Sequence, residues 1–185
     1  MIWRIGIGSL SLSTCTIPWL KISTYVALKY SLKRHVQNHS VPIISFRTQQ
    51  KPILYALANI ALLEAYADDV VERFVAEKLG GLRHGLGAAF KVLSMRVSQD
   101  AMVELAERCG AQGLFGYNQI IELQMHGRGA GIAEGDQLIL SIRAFVSSII
   151  FSQLDYSEPI VSRFANRICR SSYRITFRKI LLTGA

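Results

Sequence analysis

The sequence predicts an all-α fold: a bundle of about four long helices, up-and-down, joined by short connections. Three observations predict it. Apolar residues recur at helical spacing through four long windows. Glycine clusters and one proline-bearing loop separate those windows. No stretch alternates apolar and polar residues in the manner of a strand.

The first helix is expected over residues 5–35, with Ile17, Leu20, Tyr25, Leu28 and Leu32 as its apolar face. A kink is expected at Pro18, because proline lacks a backbone donor and crowds the preceding turn. Residues 36–45 carry Asn38, His39, Ser40 and Pro42 and read as a loop. The second helix is expected over 46–78. Ile53, Leu54, Leu57, Ile60, Ala61 and Leu63 lie on one side, and Asp68, Asp69, Glu72, Glu77 and Lys78 mark a solvated end. Gly80-Gly81 is its expected stop. The third helix is expected over 82–108, with Leu86, Ala89, Phe90, Leu93, Val97, Met102 and Leu105 as its stripe. A glycine-rich turn follows at 109–116, then a short amphipathic segment at 117–126 and a second turn, GRGAG, at 127–131. The last helix is expected over about 134–152. It is apolar nearly all round and is therefore expected to be buried.

Half of the 185 residues are hydrophobic and 18% are charged; the mean hydropathy is +0.27. Either the core is large for the length or a partner covers apolar surface. No window reaches about 18 uninterrupted apolar residues, which argues against a spanning helix. The stretch MIWRIGIGSLSLSTC is diluted by Ser9, Ser11, Ser13 and Thr14, and reads as the start of a helix rather than a signal peptide.

The net charge of +8 is uneven: residues 155–185 set Arg163, Arg167, Arg170, Arg174, Arg178 and Lys179 against Asp155 and Glu158, a net +4. A basic tail can attract nucleic acid or anionic lipid. These arginines follow no known pattern of interleaved stacking aromatics, so neither nucleic acid nor membrane is an expected partner. Cys15, Cys109 and Cys169 form no CxxC and read as reduced thiols in an intracellular protein. His35, His39, His84 and His126 form no ligand motif, and no metal site is expected.

GIAEGDQLIL, residues 131–140, places Glu134 beside a glycine, directly before an apolar run. The residues alone leave three readings open. Glu134 is an acid favoured by the dipole at a helix start, a desolvated carboxylate in an apolar pocket that serves as a base, or an ordinary surface-loop residue.

Four motifs in fixed order carry a resemblance. KYSLKR at 29–34, FRTQQ at 46–50, CGAQGLFGYN at 109–118 and AEGDQ at 133–137 resemble the C-terminal helical domain of the acyl-CoA dehydrogenases and acyl-CoA oxidases. Tyr30 and Arg34 match an aromatic-x-x-x-Arg on the first helix of that domain. Gln50, or less well Gln49, matches a glutamine near the start of the second. Gly110-Ala111-Gln112-Gly113 matches a GG-x-G turn with one glycine replaced by alanine. Glu134-Gly135-Asp136 matches a Glu-Gly-Thr or Glu-Gly-Asp motif. The likeness covers about residues 4–150. The Glu-Gly-Asp form, the TQQ and the long loop between Arg34 and Gln50 lean toward the oxidases.

The resemblance implies a helical domain over 1–154 and a basic tail over 155–185. It implies FAD as cofactor, an acyl-CoA thioester as substrate and a homo-oligomer, dimer or tetramer. Glu134 is then the base that removes the α-proton, Gly135 lets substrate and flavin approach the backbone, and Asp136 lies near the cofactor. Arg34, Gln50 and the turn of Gly110, Ala111 and Gly113 are implied to contact FAD, often across a subunit interface. His84 and Lys91 match positions common in the oxidase-like branch and read as structural. Val36-Gln37 stand where the family usually has Phe-Gly, and Gln137 where Asn is common. Full members carry an N-terminal helical domain and a middle β-domain, and neither is among these residues. The alternative expectation is therefore a catalytically incomplete oligomerisation module. A peroxisomal or cytoplasmic setting is expected; the sequence ends in TGA rather than an SKL-like signal.

Overall fold

A computed structural model describes residues 2–36, 40–76 and 80–142. The basic segment 155–185 and most of the expected last helix lie outside the described residues. The all-α expectation holds. The expected first helix is two, α1 (Ile2–Thr14) and α2 (Thr16–Lys33). The break falls at Cys15, not at Pro18. Pro18 is the third residue of α2, where a backbone N–H has no intrahelical partner to lose.

The buried face of α2 is Thr16, Ile17, Leu20, Ser23, Thr24, Ala27 and Ser31, whereas Tyr25 and Leu32 are exposed. Three of its hydroxyls are satisfied within their own helix, where Ser23, Thr24 and Ser31 donate to the carbonyls of Trp19, Leu20 and Ala27, and Thr16 donates to the Ser13 carbonyl of α1. A self-satisfied hydroxyl packs as a small side chain, so the row faces inward although an apolar count points elsewhere.

The loop after α2 holds a two-residue antiparallel ladder, β1 (His35–Val36) with β2 (Val41–Pro42), and a 3-10 turn at Ile43–Ser45. α3 spans Arg47–Ala76 and α4 spans Gly80–Arg108. Gly80 and Gly81 thus open α4 rather than close the helix before it. On α3, Ile53, Ile60 and Leu63 are buried, but Leu54 and Leu57 face outward.

Cross-helix contacts give the directions. α2 and α3 are antiparallel, since Lys21 pairs with Glu64 while Ser31 meets Gln49. α3 and α4 are antiparallel, since Tyr66 packs edge-on against Phe90 while Gln49 bonds to the Arg108 carbonyl. α4 is the central helix, packed by α1, α2 and α3 and by α5 (Ile120–Ile132). Phe90, Lys91 and Val92 are buried in succession, which requires neighbours on more than one side.

α5 returns antiparallel to α4: Gln124 donates to the Met102 carbonyl and Gly127 lies against Gln99. It runs straight through 127–131, so the expected second turn is helix. Two of its three glycines lie close against side chains. A Cβ on Gly127 would stand 2.0 Å from the Gln99 amide nitrogen, and one on Gly131 2.5 Å from that of Gln137. Residues 137–142 are helical, but Leu138, Ile139 and Ile142 are exposed and only Leu140 is buried. The described part of the last helix is therefore not enclosed as expected. No helix among the described residues is long and apolar enough to cross a membrane.

Cys15 is exposed and Cys109 buried. Burial pushes the Cys109 thiol up from 9.0 to about 11. The neutral thiol favours the folded chain, and this contribution is complete below the unfolded value. It is lost as pH rises from 9.0 through about 11, where the unfolded thiol ionises first. Urea midpoints taken at several pH values should fall across that window, and Cys109→Ala should flatten the fall.

Candidate functional site

The sequence-predicted residues separate into two clusters along α4, one beside its middle and one at its C-terminal end. Lys91 marks one and Arg108 the other. Their seventeen positions correspond to about 26 Å of helix.

The first cluster is the turn between α5 and the helical residues 137–142. Glu134 and Gly135 both have positive φ, 56° and 105°. Glu134 does not stand at the helix start expected of a dipole-favoured acid. It precedes the helical residues by three positions and is exposed in this chain. The capping role falls to Asp136, whose Oδ2 accepts the Leu138 N–H at 3.0 Å.

The backbone of the turn is fastened from two helices. Lys91 of α4 donates from Nζ to the carbonyls of Ala133 and, at 2.8 Å, Gly135. Ser9 of α1 donates to the Glu134 carbonyl at 2.8 Å. The Glu134 side chain lies over Gly8, where an added Cβ would stand 2.8 Å from the carboxyl carbon. Lys91 is fully buried. Burial pushes its ammonium below the usual 10.5, and the carboxylates of Glu134 and Asp136 push it back up.

The second cluster forms where α2 ends beside the 3-10 turn Gly110–Leu114. Two adjoining hollows, about 380 and 370 Å³, share Val26, Tyr30, Arg34 and Asn118. Lys29 and Lys33 extend one hollow; Ala111 and Gln112 extend the other. No carboxylate lines either. The cations sit in the last turns of α2, where the helix dipole favours positive charge.

The Gly-Ala-Gln-Gly turn follows from backbone requirements. Gly110 has φ 60°, and Gly113 abuts α4 so closely that a Cβ would stand 2.3 Å from the Ala106 carbonyl oxygen. Ala111 needs neither property and carries its methyl group to the exposed side. Gln50 is exposed and lines neither hollow. Gln49 is buried and donates to Ser31 Oγ and the Arg108 carbonyl, both at 2.9 Å.

Lys29, Lys33 and Asn118 were not singled out from the sequence. The i, i+4, i+5 spacing of Lys29, Lys33 and Arg34 was a legible signal for the two lysines. Ser9 gave none, since its partner lies 125 residues away. Among the described residues no group of His, Cys, Asp and Glu is arranged to hold a metal ion.

No family model matches the chain. It is 27% identical over 151 residues to human peroxisomal acyl-coenzyme A oxidase 3, covering 72% of this chain and 22% of that protein. Butyryl-CoA dehydrogenase from Megasphaera elsdenii superposes with a TM-score of 0.71 at 14% identity, over 80% of this chain and 37% of the other. Arabidopsis thaliana acyl-CoA oxidase 1 superposes at 0.64 with 21% identity, over 81% and 25%. The tomato acyl-CoA oxidase gives 0.63 with 22% identity, over 85% and 26%. The chain thus spans about a fifth of the length of the curated relative. In sequence and in fold, the chain resembles the acyl-CoA dehydrogenase and acyl-CoA oxidase family and has that family's C-terminal helical bundle, with the sequence likeness on the oxidase side.

Proposed function

We propose that this chain is the C-terminal helical part of an FAD-dependent acyl-CoA oxidase or dehydrogenase, with Glu134 as the base for α,β-dehydrogenation of an acyl-CoA thioester. The observation that carries the reading is the fastened turn that presents the Glu134 carboxylate on the bundle surface. An α-C–H is a weak acid until the thioester carbonyl is polarised, so its base must be held in place. Glu134 takes the α-proton onto its carboxylate. Gly135 leaves room for a thioester to approach the backbone. A bound flavin supplies the acceptor for the β-hydrogen, which departs as hydride.

The residues of the second cluster suit the anionic half of FAD. Arg34, Lys29 and Lys33 surround space that no carboxylate lines, and a guanidinium fork matches a pyrophosphate. With about 26 Å of α4 between the clusters, the cofactor beside Glu134 and the one beside Arg34 are different molecules, shared with a second copy of the chain. Exposed Leu54, Tyr55, Leu62 and Val75 on α3 supply apolar surface for such an assembly. The shelter that a base needs comes from parts that cover Glu134. A peroxisomal setting rests on the name of the human relative.

A second reading is an oligomerisation module that keeps the bundle without the chemistry. The exposed apolar side chains of Leu54, Leu62 and Val75 on α3 favour it. The visible spectrum of the purified chain, with and without added FAD, separates the two, with its solution mass measured alongside. The enzymatic reading expects a flavin spectrum on a dimer or larger species. A flavin-free oligomer would favour the module.

A further inference from the structure

We infer that Lys91 and Ser9 are positioning residues that lock the turn 133–135, and that Gly8 seats the Glu134 side chain. The clamp rests on geometry alone; its catalytic consequence rests on the reading proposed above.

The turn has a conformation that does not hold itself. A glutamate at φ 56° stands in the left-handed region, which side chains other than glycine, asparagine and aspartate seldom occupy. Strain of this kind persists only where surrounding structure imposes it. Three consecutive carbonyls are held from outside. Lys91 takes those of Ala133 and Gly135 from α4, and Ser9 takes that of Glu134 from α1. The alternation follows from the path of the turn, whose carbonyls point by turns to one helix and the other.

Lys91 is a costly choice for a packing role, since a buried ammonium must be compensated. Here two carbonyls compensate it. Neither Glu134 nor Asp136 closes an ion pair with it among the described residues. The lysine therefore holds the backbone on either side of Glu134 while leaving the carboxylate unclaimed. Gly8 completes the arrangement. With no Cβ it admits the Glu134 side chain against α1, next to the Ser9 hydroxyl that holds the same residue's carbonyl.

The test is amide hydrogen exchange on the full chain, comparing residues 132–140 with 120–131. Lys91→Met keeps the stem and removes the donor. It is expected to speed exchange over 132–140 at least tenfold and leave 120–131 unchanged. No change, or an equal change in both segments, overturns the inference. Should Lys91→Met fail to fold, Ser9→Ala removes a donor on another helix and is expected to loosen the same segment; unchanged exchange there overturns it. Lys91→Ala with added ethylammonium separates a positioning role from plain packing. Ethylammonium is expected to restore protection and ethanol is not; restoration by both or by neither overturns the assignment.

In an assembly that turns over acyl-CoA, Lys91→Met and Gly8→Ala are expected to lower kcat at least tenfold with KM unchanged. Contrast in exchange without Glu134-dependent turnover leaves the clamp standing and removes the enzymatic reading. Glu134-dependent turnover without that contrast does the reverse.

Discussion

Glu134→Gln is expected to lower kcat for acyl-CoA dehydrogenation by at least about 100-fold, within the range of about 10²–10⁴ that a positioned base contributes. KM should stay within a factor of two, because proton transfer is an interaction of the transition state. The fold should be untouched. Glu134 is exposed, and the bonds that hold its turn run to backbone carbonyls rather than to its carboxylate. Glutamine keeps the size and removes the basic oxygen. Steady-state kinetics on the flavin-loaded assembly, with a dye as electron acceptor, give both constants. A variant that retains the wild-type kcat would remove Glu134 from the chemistry.

Gly113→Ala should be the most damaging small substitution in the second cluster. The new Cβ would meet the Ala106 carbonyl oxygen at 2.3 Å and the Ala106 carbonyl carbon at 2.9 Å. Those atoms are backbone in the last turn of α4, where the Cys109 N–H bonds to the same Ala106 oxygen at 3.0 Å. Neither side can yield cheaply, and a loss of about 3 kcal/mol is expected from this overpacking. The urea midpoint of the purified chain measures it. The 3-10 turn should be displaced with it, so any FAD affinity of the Arg34 hollow should fall as well. Ala111→Gly is the control. Residue 111 faces outward without a positive φ, so only about 0.4–1 kcal/mol should be lost, through the freer unfolded chain.

The helices were legible wherever apolar spacing was long and regular. α3 and α4 fall within a few residues of their expected bounds. The misreadings share a cause: each asked a local pattern to decide a non-local question. Glycines at 127–131 look like a turn until Gln99 and Gln137 are seen beside Gly127 and Gly131. Tyr25 and Leu32 look like core until the hydroxyl row of α2 is found to satisfy itself and face inward. Of the two adjacent glutamines, packing alone decides that Gln50 is exposed and Gln49 buried. The structure leaves Gln50 off both hollows and uses Gln49 to tie α3 to the ends of α2 and α4.

By itself the sequence determined the all-α class, the succession of long helices and the four ordered motifs, because helical periodicity and motif spacing are written in adjacent residues. Tertiary structure alone decided that these motifs form two clusters rather than one. Only antiparallel packing on α4 returns residues 133–135 to Lys91 and leaves Arg34 beside Ala111 at the far end. Tertiary structure also decided what holds Glu134. Ser9 and Lys91 come from helices far away in the chain, and no local pattern records a bond across 125 residues.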